Sequence, residues 1–363
     1  MNALGTRIAR LIENQGPLSI AQFMTLALHD PREGYYATRD PFGRTGDFIT
    51  APEVSQIFGE LLGLWIVQAW QDQGAQTPAR LVELGPGRGT LMADVLRAAR
   101  VAPAFLAAID VVLIESSPTL RSVQAERLKD AGVRIEWRAG WDETLADRPL
   151  FVLANEFFDA LPIRQYVKTA RGWCERMVTL ENGALAFALA PVPAAGLIVP
   201  RERGEAEDGA VFEISTSGTA YAEEIASAIA NRGGAALIVD YGHDGIGFGD
   251  TLQAVKAHKF AGILDAPGEA DLSAHVDFAA LSTAAARGGA RVYGPTAQGD
   301  FLDRLGVMAR AKILSKANPA LAAQFTSETE RLRSPHQMGA LFKTLAMMPK
   351  DAPVPAGLHP SGL

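Results

Sequence analysis

The stretch Leu81–Thr90, LVELGPGRGT, constrains the fold of this chain more than any other. Apolar and β-prone residues lead into Gly85, Gly87 and Gly89, and the run LMADVLRAAR that starts after Thr90 has helical composition and amphipathic spacing. A strand, a tight glycine turn and a helix are predicted in that order. A turn of this kind lets backbone approach a ligand, because side chains would block the approach and the turn needs positive φ. The helix behind it offers unpaired N–H groups and the positive end of its dipole.

Two ligand classes use that geometry. A dinucleotide site wants G-x-G-x-x-G, but here the third glycine comes one residue early and Thr90 stands where Gly or Ala is needed. The spacing E-x-G-x-G-x-G, with Glu83 ahead of the glycines, fits S-adenosylmethionine instead. Its ammonium suits a carboxylate, and its carboxylate suits backbone N–H groups. A glycine turn that binds nothing has the same local pattern, so the rest of the chain must discriminate.

The 363 residues are enough for one large α/β domain with additions, or for two domains, and 48% hydrophobic content supplies a core. No apolar run reaches the roughly 18–20 residues that span a bilayer. Arg7, Arg10 and Glu13 interrupt any signal-peptide core at the start, so a cytoplasmic protein is expected. A single Cys174 excludes an intrachain disulfide or a cysteine metal cluster and suits a reducing compartment. The net charge of −7, without a Lys/Arg run, disfavours nucleic acid.

Taken in order, residues 1–30 read as two helices broken at Gly16-Pro17. Asp30–Thr50 is irregular, and loops of that length are uncommon unless functional. A helix start follows, with Thr50 as N-cap, Glu53 as its capping-box partner and Ile49 with Val54 as staple, leading into a helix to about Gln73. The strand VVLIE ends in Glu115, somewhat further past the glycines than the roughly 20 residues typical of a ribose-binding acid. Ribose is common to both ligand classes, so Glu115 supports a nucleoside without choosing between them. After a third strand, Gly140-Trp141-Asp142 stands where an adenine edge would lie, and Trp141 suits stacking or packing equally.

The fourth strand, PLFVLAN, ends in NEFFDALP. Asn155, Glu156 and Asp159 stand at its carboxyl end beside Phe157 and Phe158. Carboxylates there could orient a cationic acceptor and take its proton. The same residues also suit a capped helix start. Residues 163–214 alternate apolar and polar around Arg171-Gly172 and Asn182-Gly183, the pattern of β-hairpins. A fifth strand, ALIVDYG, reaches Asp240, and TLQAV and RVYGPTAQ read as further β segments. From Asp300 the chain reads as helices and a frayed, proline-bearing tail. His243, His258 and His275 lack ligand spacing, so no metal is expected.

ELGPGRGTLMADVLRA, NEFFDALP, GDFITAPEVSQIFGELLG, DYGHDG with GDTLQAVKAHK, and SAHVDF, in that order, resemble the MidA-like S-adenosylmethionine-dependent methyltransferases over roughly residues 15–310. That family's mitochondrial member dimethylates an arginine of a complex I core subunit and aids assembly of the complex. The resemblance implies a doubly wound, Rossmann-like class I methyltransferase sheet. Added to it are an N-terminal helical and loop lobe over residues 1–52, a core at 53–300 with a β-hairpin insertion at 163–214, and a helical extension and tail at 301–363. It places Glu83, Gly85 and Gly87 at the cofactor's amino-acid end and Glu115 on its ribose, and it adds Gly46, Asp47 and Thr50 from the N-terminal lobe. From the reading of the residues themselves, Gly89, Ser116, Trp141, Asp142 and Asn155 are further expected cofactor-binding residues.

The expectation is a bacterial, cytoplasmic protein N-methyltransferase acting on an accessible arginine of a protein partner, such as a respiratory complex I subunit. Asn155, Glu156 and Asp159 are its expected catalytic residues. A non-catalytic assembly factor that binds S-adenosylmethionine and holds a partner subunit is the competing reading. A nicotinamide-dependent dehydrogenase is weaker. So is a nucleobase amino-methyltransferase, whose acceptor loop carries prolines where Glu156 and Phe157 follow Asn155 here.

Overall fold

The structure, a computed structural model, describes residues 1–38 and 49–360. Gly46 and Asp47 lie outside the described residues. The chain divides into two compact units interleaved in sequence: Ile49–Phe158, Tyr221–Gly242 and Phe278–Leu363 form the larger, and Met1–Phe48, Asp159–Ala220 and His243–Asp277 the smaller. Among the described residues no helix is long and apolar enough to cross a membrane.

The larger unit is built on seven strands: β1 (Ala79–Leu84), β2 (Ile109–Ile114), β3 (Ile135–Arg138), β4 (Leu150–Asn155), β5 (Gly234–His243), β6 (Arg291–Ala297) and β7 (Phe342–Met348). Their order across the sheet is β6-β7-β5-β4-β1-β2-β3. β1–β5 run parallel, and β7 lies antiparallel between β5 and β6. This is the class I methyltransferase arrangement. β1 and β4 are buried along their whole length, as strands of a sheet covered on both faces must be. The strand order reverses between β1 and β4, and in open α/β sheets ligands bind at the carboxyl ends beside such a reversal.

Helix α1 (Gln56–Asp72) packs Ile57, Phe58, Leu61 and Trp65 into the same core as Leu81, Val111 and Leu153 of the sheet. It also lies close against α2 (Thr90–Ala98), because Gly63 has no side chain. A Cβ there would stand 2.8 Å from Val95 Cα. Buried Glu60 on α1 pairs with Arg97 of α2 at 3.1 Å and with Arg310 at 2.7 Å. Helix α3 spans Pro118–Leu128, and α4 spans Thr216–Arg232, of which Tyr221 onward belongs to this unit.

Two expectations change. The capping box at Thr50 does not form, since the Thr50 side chain makes no cap bond and the Glu53 carboxylate accepts the Thr90 hydroxyl instead. The helix begun at Ala51 stops at Val54, where extended Ser55 breaks it and starts α1 with its own hydroxyl on the Ile57 N–H. The C-terminal segment is also not helix and frayed tail alone. After helices Gln298–Arg304, Val307–Ala317 and Ala322–Arg333, β7 enters the sheet between β5 and the edge strand β6, with Leu345, Ala346 and Met347 fully buried.

In the smaller unit, helices Ala3–Gln15 and Ile20–His29 share a core with Ile163 and with strand residues Val178, Ala254 and Leu272. The predicted hairpins are there. Gly172–Glu181 pairs antiparallel with Arg164–Thr169 and with Ala184–Leu189, the latter through Asn182-Gly183, both at positive φ as the turn requires.

Candidate active site

The glycine turn follows β1 as predicted, with Gly85, Gly87 and Gly89 at φ 62°, 52° and 75°. Gly85 has two reasons to be glycine: its left-handed backbone, and the Phe157 ring, whose Cδ2 would lie 3.0 Å from an added Cβ. Glu83, just ahead of the turn, is 2% exposed, and its Oε2 has no hydrogen-bond partner. Burial, and then the charge of Glu115, push its pKa up to about 8. A buried carboxylate oxygen left unpaired is costly unless a ligand pairs with it. The donor that fits is a cation such as an ammonium.

Glu115 directly follows β2, nearly buried. Its carboxylate accepts the Ser117 N–H at 2.8 Å and the Gln124 amide at 3.2 Å. Burial raises its pKa, while those bonds and Arg121 oppose the rise. Ser116 is exposed beside it. Gln124 on α3 was not singled out from sequence. It is fully buried and also donates to the Gly87 carbonyl at 2.6 Å, while its oxygen accepts the Trp137 indole N–H at 2.8 Å.

Trp141 is half-buried, and its backbone is hydrogen-bonded to the hydroxyl of Tyr221, a second residue the sequence did not single out. Asp142 is exposed and committed locally. Its carboxylate accepts the Thr144 N–H at 2.9 Å and pairs with Arg138 at 3.0 Å, and hydrogen bonds from Thr144 lead in holding its pKa down.

At the end of β4 the backbone turns sharply. Glu156 sits at φ 51°, a left-handed conformation rare for a side chain of its size. Its Oε1 accepts the Ala51 N–H at 3.0 Å and the Asn155 amide at 3.2 Å. Asn155 is nearly buried, with its Oδ1 lacking a hydrogen-bond partner. Phe157 and Phe158 donate their N–H groups to Asp240 Oδ2 on β5 at 3.1 and 2.9 Å. The Phe157 ring meets those of Phe158 and Tyr221 edge to face.

The structure thus groups Glu83, Gly85, Glu115, Asn155 and Glu156 at the carboxyl ends of β1, β2 and β4. Thr50 is buried next to Ala51. Asp159 belongs to the smaller unit, where its carbonyl accepts the Ala274 N–H at 3.0 Å.

Similarity to known proteins identifies the family. A family model described as an S-adenosyl-L-methionine-dependent methyltransferase matches residues 61–296. The chain is 39% identical to the mitochondrial protein arginine methyltransferase NDUFAF7 of Rattus norvegicus and of Homo sapiens, covering 93% of this chain and 82% and 81% of theirs. It is 37% identical to the Drosophila melanogaster homologue, covering 96% of this chain and 85% of that one. A solved structure of a COG1565 superfamily member from Burkholderia thailandensis, bound to S-adenosyl-homocysteine, superposes with a TM-score of 0.86. It is 29% identical, covering 98% of this chain and 94% of that one. On that match and those identities, the chain belongs to the family of S-adenosyl-L-methionine-dependent methyltransferases.

Proposed function

We propose that this methyltransferase acts on the guanidinium of an arginine in a protein partner, with a respiratory complex I subunit as the first candidate. The observation that carries this reading is the Glu156 carboxylate, tethered by the Ala51 N–H and the Asn155 amide at the end of β4. A carboxylate is the natural partner of a guanidinium, and one fixed in place orients the acceptor without paying to be ordered. The names of the relatives, protein arginine methyltransferases at 39% identity, support the same acceptor.

In this reading Glu83 holds the cofactor's ammonium, the backbone of Gly85, Gly87 and Gly89 faces its carboxylate, and Glu115 with Ser116 meets the ribose. Gly46, Asp47 and Thr50 from the N-terminal segment, and Trp141 with Asp142, are the remaining candidates for its surroundings. When bound, S-adenosylmethionine supplies an activated methyl group on a sulfonium. Asn155 and Glu156 orient the guanidinium, and the Glu156 carboxylate takes the proton its nitrogen gives up. Labelled-methyl transfer into an extract of cells lacking the gene tests the activity, and mass spectrometry of arginine methylation lost on deletion identifies the target. A scaffold that merely holds a partner incorporates no label.

A further inference from the structure

We propose that Gln124 is a positioning residue that sets the Glu115 carboxylate for the ribose and ties it to the glycine turn. The proposal rests on the reading of Glu115 as the ribose acid.

The amide of Gln124 has only one workable orientation. Its nitrogen faces two acceptors, the Gly87 carbonyl at 2.6 Å and Glu115 Oε2 at 3.2 Å, and its oxygen faces a donor, the Trp137 indole N–H at 2.8 Å. Flipped, it would set oxygen against two oxygens and N–H against N–H. All three contacts are made by a side chain with no exposure. Both amide hydrogens are used, one on the turn after β1 and one on the acid after β2.

Glu115 is thereby held from both ends. Oε1 accepts the Ser117 N–H at 2.8 Å, Oε2 accepts Gln124, and the Ser116 N–H also bonds to the carboxylate, which fixes its plane and leaves it lone-pair capacity for a hydroxyl. Gly89 packs against the Gln124 stem, where an added Cβ would make an ordinary contact at 3.4 Å, and it is its φ of 75° that calls for glycine. The amide is thus a strut between the loop that meets the amino-acid end of the cofactor and the acid that meets its sugar. A hydrogen bond that holds a charged ligand-binding group acts through preorganisation, and its loss appears where the ligand uses that group.

The experiment is calorimetric titration of the full chain with S-adenosylhomocysteine and with its analogue lacking both ribose hydroxyls. Gln124→Met keeps the bulk and removes the amide, and Gln124→Glu keeps the shape and turns an oxygen toward Glu115. Each should weaken S-adenosylhomocysteine by about ten- to a hundredfold, the range for a lost hydrogen bond to a charged group, and should weaken the analogue less than about threefold. Either variant that folds serves. Equal weakening of both ligands, or none of either, overturns the proposal, because a merely structural residue does not distinguish a sugar hydroxyl. Glu115→Gln separates the two claims. If it leaves the preference for the hydroxylated ligand intact, the ribose reading itself fails; if it abolishes that preference while the Gln124 variants do not, only the positioning role fails.

Discussion

Asp240 Oδ2 accepts the backbone N–H groups of Phe157 and Phe158, at 3.1 and 2.9 Å, from a position with no solvent exposure. Asp240 Oδ1 takes its own neighbour, the Tyr241 N–H, at 2.9 Å. One carboxylate on β5 therefore pins the turn that carries Glu156 in a left-handed conformation. Such strain, of order 1–3 kcal/mol, persists only where the surroundings over-determine it.

Asp240→Ala leaves these N–H groups buried and unpaired, and about 3 kcal/mol or more of stability should be lost. Asp240→Asn keeps an acceptor and should cost about half as much. In both, methyl transfer should fall further than S-adenosylhomocysteine affinity, since the turn carrying Glu156 is released while the glycine turn keeps its own backbone. Denaturant unfolding alongside cofactor titration checks this, and a variant with full transfer activity would detach Asp240 from the loop's function.

Glu156→Gln is the sharpest test of the proposed chemistry. The amide oxygen still accepts the Ala51 N–H, so the loop keeps its tether while losing the charge and the proton acceptor. Transfer should drop by about 10²–10⁴-fold with cofactor affinity nearly unchanged. Single-turnover rates at saturating cofactor measure it, and wild-type rates would remove Glu156 from the mechanism.

Gly85→Ala strikes the glycine turn. Its φ of 62° costs an alanine roughly 1–2 kcal/mol, and the new methyl forces Phe157 to move. Loss of both affinity and transfer is expected, in contrast to the Glu156 variant. Retention of wild-type affinity in this mutant would show that the turn does not meet the ligand.

The parts of this site that were legible in sequence are the local ones. Gly85–Gly89 declare a turn by themselves, Glu115 ends an apolar run, and Asn155-Glu156 follow another, so strand ends and acids could be read in place. Gln124, Tyr221 and the clamp role of Asp240 could not be read. Each acts on a residue brought close only by the sheet: Gln124 on Gly87, Tyr221 on Phe157, Asp240 on Phe158. Gln124 also sits mid-helix in VQAERL, where glutamine is an ordinary surface residue. β7 was missed for a related reason. FKTLAMM is rich in residues that favour helices, and its strand state comes from pairing with β5 and β6 rather than from propensity. The capping box failed because Thr90, far along the chain, competed for Glu53.

Glu83 gives the last prediction, and its sign follows from linkage. Its pKa is about 8 in the folded chain, against an ordinary 4.5. The folded state thus holds this proton more tightly than the unfolded one. The resulting stabilisation is complete below about pH 4.5 and is lost progressively as pH rises through about 8. Glu83→Gln removes that titration, so the variant should lose less melting temperature than wild type between pH 5 and 8. An ammonium beside Glu83 favours its charged form, so cofactor binding near pH 7 should release most of one proton in wild type and none from this position in the variant. Calorimetry of S-adenosylhomocysteine binding in buffers of different ionisation enthalpy counts that proton. Equal release by the two proteins would place the ammonium away from Glu83, and with it the orientation of the cofactor along the glycine turn.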